Sequence, residues 1–149
     1  VYVVWRRGAP YASFVNFDAP DRGACVVDRP RTNTPLQALT LLNDQAYVEM
    51  ALAFASRIVN EPGLATDEQR IRFAFRVALS REAKPVEVGY LKTLLAKRAN
   101  ELAGDPKAAA ALVSEARGMK FSEAETKRLA KWFTVANILL NLDEAIVKG

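Results

Sequence analysis

The sequence predicts an all-α protein, built as an irregular bundle of about five or six helices. Three segments start with a capping-box pattern, in which Ser or Thr precedes Glu or Gln by three positions, and each continues with apolar residues at helical spacing. Half of the 149 residues are apolar and 26% are charged, which suits a globular core. We therefore expect one helical domain over residues 1–149, with an irregular segment at 1–33 and the bundle at 34–149.

The segment 1–33 is predicted to be irregular because prolines punctuate it and polar residues alternate with single aromatic residues. The prolines are Pro10, Pro20 and Pro30. The aromatic residues are Tyr11, Phe14 and Phe17. We expect these rings to be buried and to hold the loops in place.

The first bundle helix is predicted to start at Thr34, because Thr34 can cap it, Pro35 suits its first position and Gln37 completes a capping box. Three leucines then follow at helical spacing and predict an apolar face: Leu36, Leu39 and Leu42. The pair Asn43-Asp44 either interrupts this helix or caps a second one, whose apolar face continues to Asn60.

Four further helices are predicted along the rest of the chain. Thr66 and Pro85 begin two of them, and the alanine-rich stretch 107–117 is a short third. The last helix is capped by Ser122 and should run to about Val147. We expect it to be the central packing helix, because it carries the largest apolar side chains.

The absence of histidine removes several kinds of site. Histidine bases, Ser-His-Asp triads, histidine-ligated zinc and covalent haem at Cys-x-x-Cys-His all require it. The single cysteine, Cys25, can form no internal disulfide and no zinc site, and we predict a small buried side chain. We therefore assign no metal, no cofactor and no catalytic residue to this chain, and the balance is against an enzyme activity of its own.

Charge and hydropathy narrow the range of partners. The net charge of +4 is spread thinly among acidic residues instead of forming one basic run, which argues against nucleic-acid binding. No apolar run is long enough to span a membrane. The seven glycines fall in no phosphate-loop spacing.

Paired carboxylates are the one catalytic pattern that remains. Asp18 and Asp21 lie on either side of Pro20, and general acid–base chemistry uses two carboxylates in different environments. The alternative is a turn, in which Asp18 accepts hydrogen bonds from the backbone and Asp21 pairs with an arginine. The spacing favours the turn and leaves the acid pair open.

Basic residues in the same segment are candidates for anion binding. Arg22, Arg29 and Arg31 lie close in sequence to several aspartates, Asp44 among them. They either form an ion-pair network that ties the segment to the first bundle helix, or bind an anion such as sulfate, phosphate or an acidic sugar. The helix start at Thr34 would add backbone donors to such a site. Asn33 is a further binding candidate, although asparagine there more often satisfies backbone groups.

Three stretches together resemble a known family. They are Phe17–Arg22 with Cys25, Arg31–Leu39 continuing to Asp44, and Trp132 with Leu139–Glu144. Over nearly the whole chain, these motifs resemble the planctomycete-specific C-terminal domain of unknown function. Members of that family form the C-terminal end of large secreted bacterial proteins, which often carry a c-type cytochrome module.

The resemblance implies a setting for the chain. It implies a periplasmic or secreted parent protein, of which residues 1–149 are the C-terminal part of a larger domain. Any haem c would lie in the upstream part of that parent. The expected partners are the upstream domains and, less directly, a polysaccharide.

Two hypotheses about function follow. The first is a non-catalytic helical structural or interaction module of a secreted multidomain bacterial protein. The alternative is part of a carbohydrate-acting or sulfated-glycan-binding site, completed by the upstream half and using Asp18 or Asp21, or the three arginines.

Overall fold

The structure, a computed structural model, describes residues 4–6, 8–20, 23–28, 32–114 and 122–147. Within these ranges the chain forms eight α-helices and no strand, so the predicted all-α class is confirmed. The helices are α1 Ala12–Asn16, α2 Pro35–Asn43, α3 Gln45–Asn60, α4 Asp67–Leu79, α5 Pro85–Gly104, α6 Pro106–Ser114, α7 Glu123–Leu140 and α8 Asp143–Ile146. The six longer helices are those that the sequence predicts, and α1 and α8 are short additions.

The predicted capping boxes form at the starts of α2, α4 and α7. In each, the Ser or Thr hydroxyl accepts from the backbone N–H three residues later, and the Gln or Glu side chain accepts from the cap's own N–H. Between α2 and α3 the chain is recapped, because Asp44 is extended and its carboxylate accepts from the N–H of Ala46 at 2.9 Å.

The prediction that the last helix runs to Val147 is wrong. Helix α7 ends at Leu140, and the extended backbone of Leu142 leads into α8. Leu142 packs its side chain against the core. The chain therefore buries part of this leucine instead of continuing the helix. Helix α8, which follows, packs against α4.

Helix α7 lies at the centre of the bundle, as expected. It packs against α3 most extensively and also against α2, α4, α5 and α6. Its buried residues are Leu129, Ala130, Trp132, Phe133, Val135, Ala136 and Leu139. The facing helices add fully buried Leu52, Ile71 and Leu95. Each such side chain contributes about 2 kcal/mol of transfer free energy, so the apolar core holds these helices together.

The leucine face predicted for α2 does not enter this core. Leu36, Leu39 and Leu42 are 56%, 55% and 47% exposed, whereas Gln37 and Leu41 are the buried residues of the helix. The spacing correctly predicts a helix, but it does not determine which face is buried. The buried amide of Gln37 decides that instead, because its hydrogen-bond partners lie on the inner side.

Two other burial predictions for the first segment are wrong. Cys25 is an exposed free thiol, in a stretch from Gly23 to Asp28 that is exposed throughout. Tyr11 is 45% exposed, because its hydroxyl donates a hydrogen bond to the carboxylate of Asp44 at the surface. Phe14 and Phe17 are half-buried. The rings nevertheless pack on one another, with Trp5 stacked on Phe14 at 5.4 Å between centroids.

None of the helices in the described ranges is both long and apolar enough to cross a membrane.

Arg81, just after α4, links three helices through one guanidinium group. It donates two hydrogen bonds to Glu87 of α5, at 2.9 and 2.7 Å, and two to Glu144 of α8, at 2.6 and 3.1 Å. The guanidinium also lies 5.1 Å from the ring centre of Phe75. Its hydrogen bonds lower the pKa of Glu87 to about 2, and they lower the pKa of Glu144 as well.

We expect Arg81→Met to destabilise the protein at pH 7 by about 1 kcal/mol, the upper range for ion pairs near a surface. Because the folded-state pKa of Glu87 is depressed, the contribution of this ion pair to the free energy of unfolding is complete above pH 4.5. It is lost as the pH falls towards 2. The free energy of unfolding of wild type and variant should therefore converge on acidification. Urea unfolding at about pH 7 and pH 3, followed by circular dichroism, measures this.

The control is Arg76→Met, which removes an ion pair to Glu82 whose side chains are 67% and 60% exposed. The free energy of unfolding of this variant should depend on pH in the same way as that of wild type. A difference between Arg81→Met and wild type that stays constant from pH 7 to pH 3 would contradict the assignment of this pH dependence to Arg81.

Candidate functional site

Of the six predicted binding residues, the structure describes Asp18 and Asn33. Asp21, Arg22, Arg29 and Arg31 lie outside the described residues. The acid pair and the arginine anion site therefore stay predictions, while the surroundings of Asp18 and Asn33 can be built from their contacts.

Asp18 closes the loop that follows α1. Its backbone is left-handed, with φ of 56°, a conformation that aspartate tolerates better than most residues. One carboxylate oxygen accepts both the N–H of Thr32 at 2.8 Å and its hydroxyl at 2.6 Å. The carboxylate thus joins two points fourteen residues apart, and this geometry is that of a turn clasp.

Gln37 connects this clasp to helix α2. Its side chain is 1% exposed, and its amide nitrogen donates to the carbonyl of Asn16 at 2.8 Å and to the hydroxyl of Thr32 at 3.0 Å. Its amide oxygen accepts from the N–H of Thr34 at 2.9 Å. Both amide hydrogens and the oxygen are therefore used, and a continuous chain of hydrogen bonds runs from Gln37 through Thr32 to Asp18.

Asp44 forms a second tie between the first segment and the bundle. Its carboxylate accepts hydrogen bonds from the hydroxyls of Tyr11 and Ser13, the latter at 2.9 Å. The hydrogen bond from Tyr11 lowers the pKa of Asp44 and in turn raises the pKa of Tyr11. Asn16 adds a contact from its amide to the hydroxyl of Thr40 at 2.9 Å. The described partners of Asp44 are thus neutral groups, and the predicted ion pairs with Arg22, Arg29 or Arg31 stay predictions because these arginines lie outside the described residues.

Asn33 reaches the other end of the chain. Its amide donates to the carboxylate of Asp143 in α8 at 2.6 Å, across 110 positions. Asn141, before α8, makes a longer contact of 3.5 Å to the carbonyl of Ala38. Sequence analysis assigned no functional role to Asp143 or Asn141, and no local pattern could have paired them with Asn33 and Ala38.

The chemistry of this region is that of fixed hydrogen bonding. The described partners of Asp18 and Gln37 are hydroxyl and backbone groups, and these hydrogen bonds position the loops. In the part of the chain that the structure describes, no group of three or more His, Cys, Asp or Glu side chains could hold a metal ion. We name this arrangement the polar clasp: Asn16, Asp18, Thr32, Thr34 and Gln37.

Comparison with known proteins gives one match. The model of a family described as PSD1, protein of unknown function (DUF1553), matches residues 1–95. The matched range contains the first two stretches on which the resemblance rests, and it ends before the third, at Trp132 and Leu139–Glu144. It is shorter than the nearly complete coverage expected from the motifs. No curated protein and no solved structure matches the chain.

The polar clasp predicts an unequal effect for two similar glutamines. Gln37 and Gln69 are both the third residue of a helix capped by threonine, but Gln69 is exposed and bonds only at the start of its helix. Gln37→Met should cost about 2 kcal/mol, since it removes the hydrogen bonds of a buried amide to Asn16 and Thr32 as well as its half of the capping box. Gln69→Met should cost about 1 kcal/mol or less.

Urea unfolding of the two variants beside wild type measures the difference. Equal losses of stability would show that Gln37 acts only as a helix cap and that the polar clasp adds nothing.

Proposed function

The chain belongs to the PSD1 family of proteins of unknown function, and within that family we propose that it is a non-catalytic helical interaction module. In this proposal its first segment and helix α2 bind the upstream part of a longer protein. The observation that carries the proposal is the inverted packing of α2.

Helix α2 buries polar surface and exposes apolar surface. At about 100° per residue, Leu36, Leu39 and Leu42 centre on the side opposite Gln37 and Leu41. About half or more of each of these leucines is accessible. A helix at the edge of an isolated domain normally has its leucines inside and its amides outside. The reversed order fits a helix that buries its outer face against a partner.

The helices beside α2 also expose large apolar side chains. Val15 of α1 and Met50 of α3 are 58% and 55% exposed, and both helices pack on α2. Val27, in the loop between α1 and α2, is fully exposed. Most of the large apolar side chains that the described structure leaves exposed thus fall in its first third, which favours binding at this end of the molecule.

The polar clasp supports the same function, because it fixes the backbone that carries these side chains. The hydrogen bonds of Gln37, Asp18 and Asp44 hold α1 and its loop on α2. A surface that is already ordered loses less conformational entropy on binding. The clasp therefore prepares a binding surface without taking part in chemistry.

The setting is part of the proposal. We infer a secreted or periplasmic parent protein of bacterial, planctomycete type, and any haem c would lie in its upstream, cytochrome-bearing part. The motifs at Phe17–Arg22 and Arg31–Asp44 support this setting through their resemblance to that family.

We expect a double variant, Leu36→Ser with Leu39→Ser, to weaken binding to the separately expressed upstream part of the parent by about 100-fold. Two leucines that leave water contribute about 3 kcal/mol together. The fold should survive, because both side chains are more than half exposed already. Isothermal titration calorimetry measures the affinity, and circular dichroism checks the fold.

The matched control is Val86→Ser with Tyr90→Ser on α5, where the side chains are 66% and 73% exposed. It should bind like wild type. Equal affinity of both double variants would refute the α2 surface. A rise in Tm with heparin, removed by neutralising Arg22, Arg29 and Arg31, would instead support sulfated-glycan binding.

A further inference from the structure

A groove beside helix α2 contains none of the residues of the polar clasp. The groove, of about 440 Å³, opens where α2, α5, α6 and α7 meet. Its apolar wall includes Leu112 of α6, Phe133 and Ile138 of α7, and Leu142 before α8. Leu112 and Ile138 are 36% and 39% exposed, so apolar surface remains open to a ligand here. Sites for small molecules have this size and are mostly apolar with few polar groups.

Polar groups enter the groove from one face of α7. Thr134, Asn137, Ile138 and Asn141 all line it, and their spacing of three, four and seven residues places them on one side of the helix. Among the described residues, the side chain of Asn141 makes one long contact of 3.5 Å to the carbonyl of Ala38. The amide of Asn141 can therefore turn towards a ligand and donate a hydrogen bond to it, and Asn137 lines the groove one turn away.

One of the described residues that line the groove is basic. Arg98 of α5 lines it and is paired with Glu101 at 2.8 Å, in a surface ion pair whose side chains are 45% and 43% exposed. Such pairs contribute little and exchange readily. Lys97 lies 4.0 Å from the same carboxylate, so Glu101 keeps a cation when Arg98 turns to a ligand. The guanidinium of Arg98 can then pair with a ligand that carries a single negative charge.

We propose that this groove binds a medium-chain aliphatic carboxylate. The alkyl chain would lie against Leu112, Phe133 and Ile138, and the carboxylate would accept hydrogen bonds from Arg98 and the two asparagine amides. These few donors can satisfy one carboxylate but not the many hydroxyl groups of a sugar. The volume suits one alkyl chain and is small for a folded partner.

The test titrates the whole chain with octanoate, decanoate and decanol by isothermal titration calorimetry, below the micelle concentrations of the two carboxylates and the solubility limit of decanol. Decanoate should bind about fifteenfold more tightly than octanoate, because each added methylene that leaves water strengthens binding about fourfold. Arg98→Gln should weaken decanoate binding at least about tenfold and leave decanol binding unchanged. Lys92→Gln, which changes the net charge equally but pairs with Glu68 and does not line the groove, should bind decanoate like wild type.

Ile138→Asn tests the apolar wall and should weaken both decanoate and decanol, while Val86→Asn on the exposed surface of α5 should weaken neither. Circular dichroism confirms that each variant is folded. The proposal is overturned if decanoate does not bind at about 1 mM, if Arg98→Gln and Lys92→Gln act alike, or if Ile138→Asn leaves decanoate binding unchanged. Leu42 of α2 also lines this groove, but these variants leave Leu36, Leu39 and Leu42 unchanged, so a loss of decanoate binding can be distinguished from a loss of binding at the α2 surface.

Discussion

The buried amide of Gln37 is the constraint on which the first third of this structure depends. A primary amide shielded from water costs several kcal/mol unless its hydrogen-bonding groups are satisfied. Its partners are the carbonyl of Asn16, the hydroxyl of Thr32 and the N–H of Thr34, so three separate points of the chain must meet at one side chain. Thr32 passes the connection on to Asp18. The loop geometry and the orientation of α2 both follow from this one requirement.

The orientation of α2 then determines the character of the outer surface. With Gln37 and Leu41 turned inward, the three leucines at the opposite side of the helix point to solvent. In a conventional helix these leucines would face inward, and burying the exposed half of each would stabilise the fold by about 1 kcal/mol. The apolar surface that α2 does not bury within its own fold remains available for binding to a partner. The polar clasp and the exposed leucines are therefore two consequences of one residue, and they are the observations that support the proposed interaction module.

Local features of this fold could be predicted from the sequence, and long-range ones could not. The caps at Thr34, Thr66 and Ser122 depend on residues three positions apart, and all of them form. The central role of α7 follows from its large apolar residues, which the sequence also displays. The inward turn of Gln37, the exposure of Cys25 and the contact of Asn33 with Asp143 depend on segments far apart in sequence. Hydrophobic spacing predicts a helix but leaves the buried face undetermined when leucines and a glutamine compete for it.

The range that matches the family, residues 1–95, does not coincide with a structural unit. It ends within α5, whereas the central helix α7 begins at Glu123. The buried face of α3, with Leu52 and Ile58, packs mainly on α7, and Arg81 pairs with Glu144 in α8. Without α7 these apolar side chains would face water, and each would forfeit about 2 kcal/mol. The matched segment therefore carries the polar clasp and the exposed leucines, but the rest of the bundle supplies the core that holds them in place.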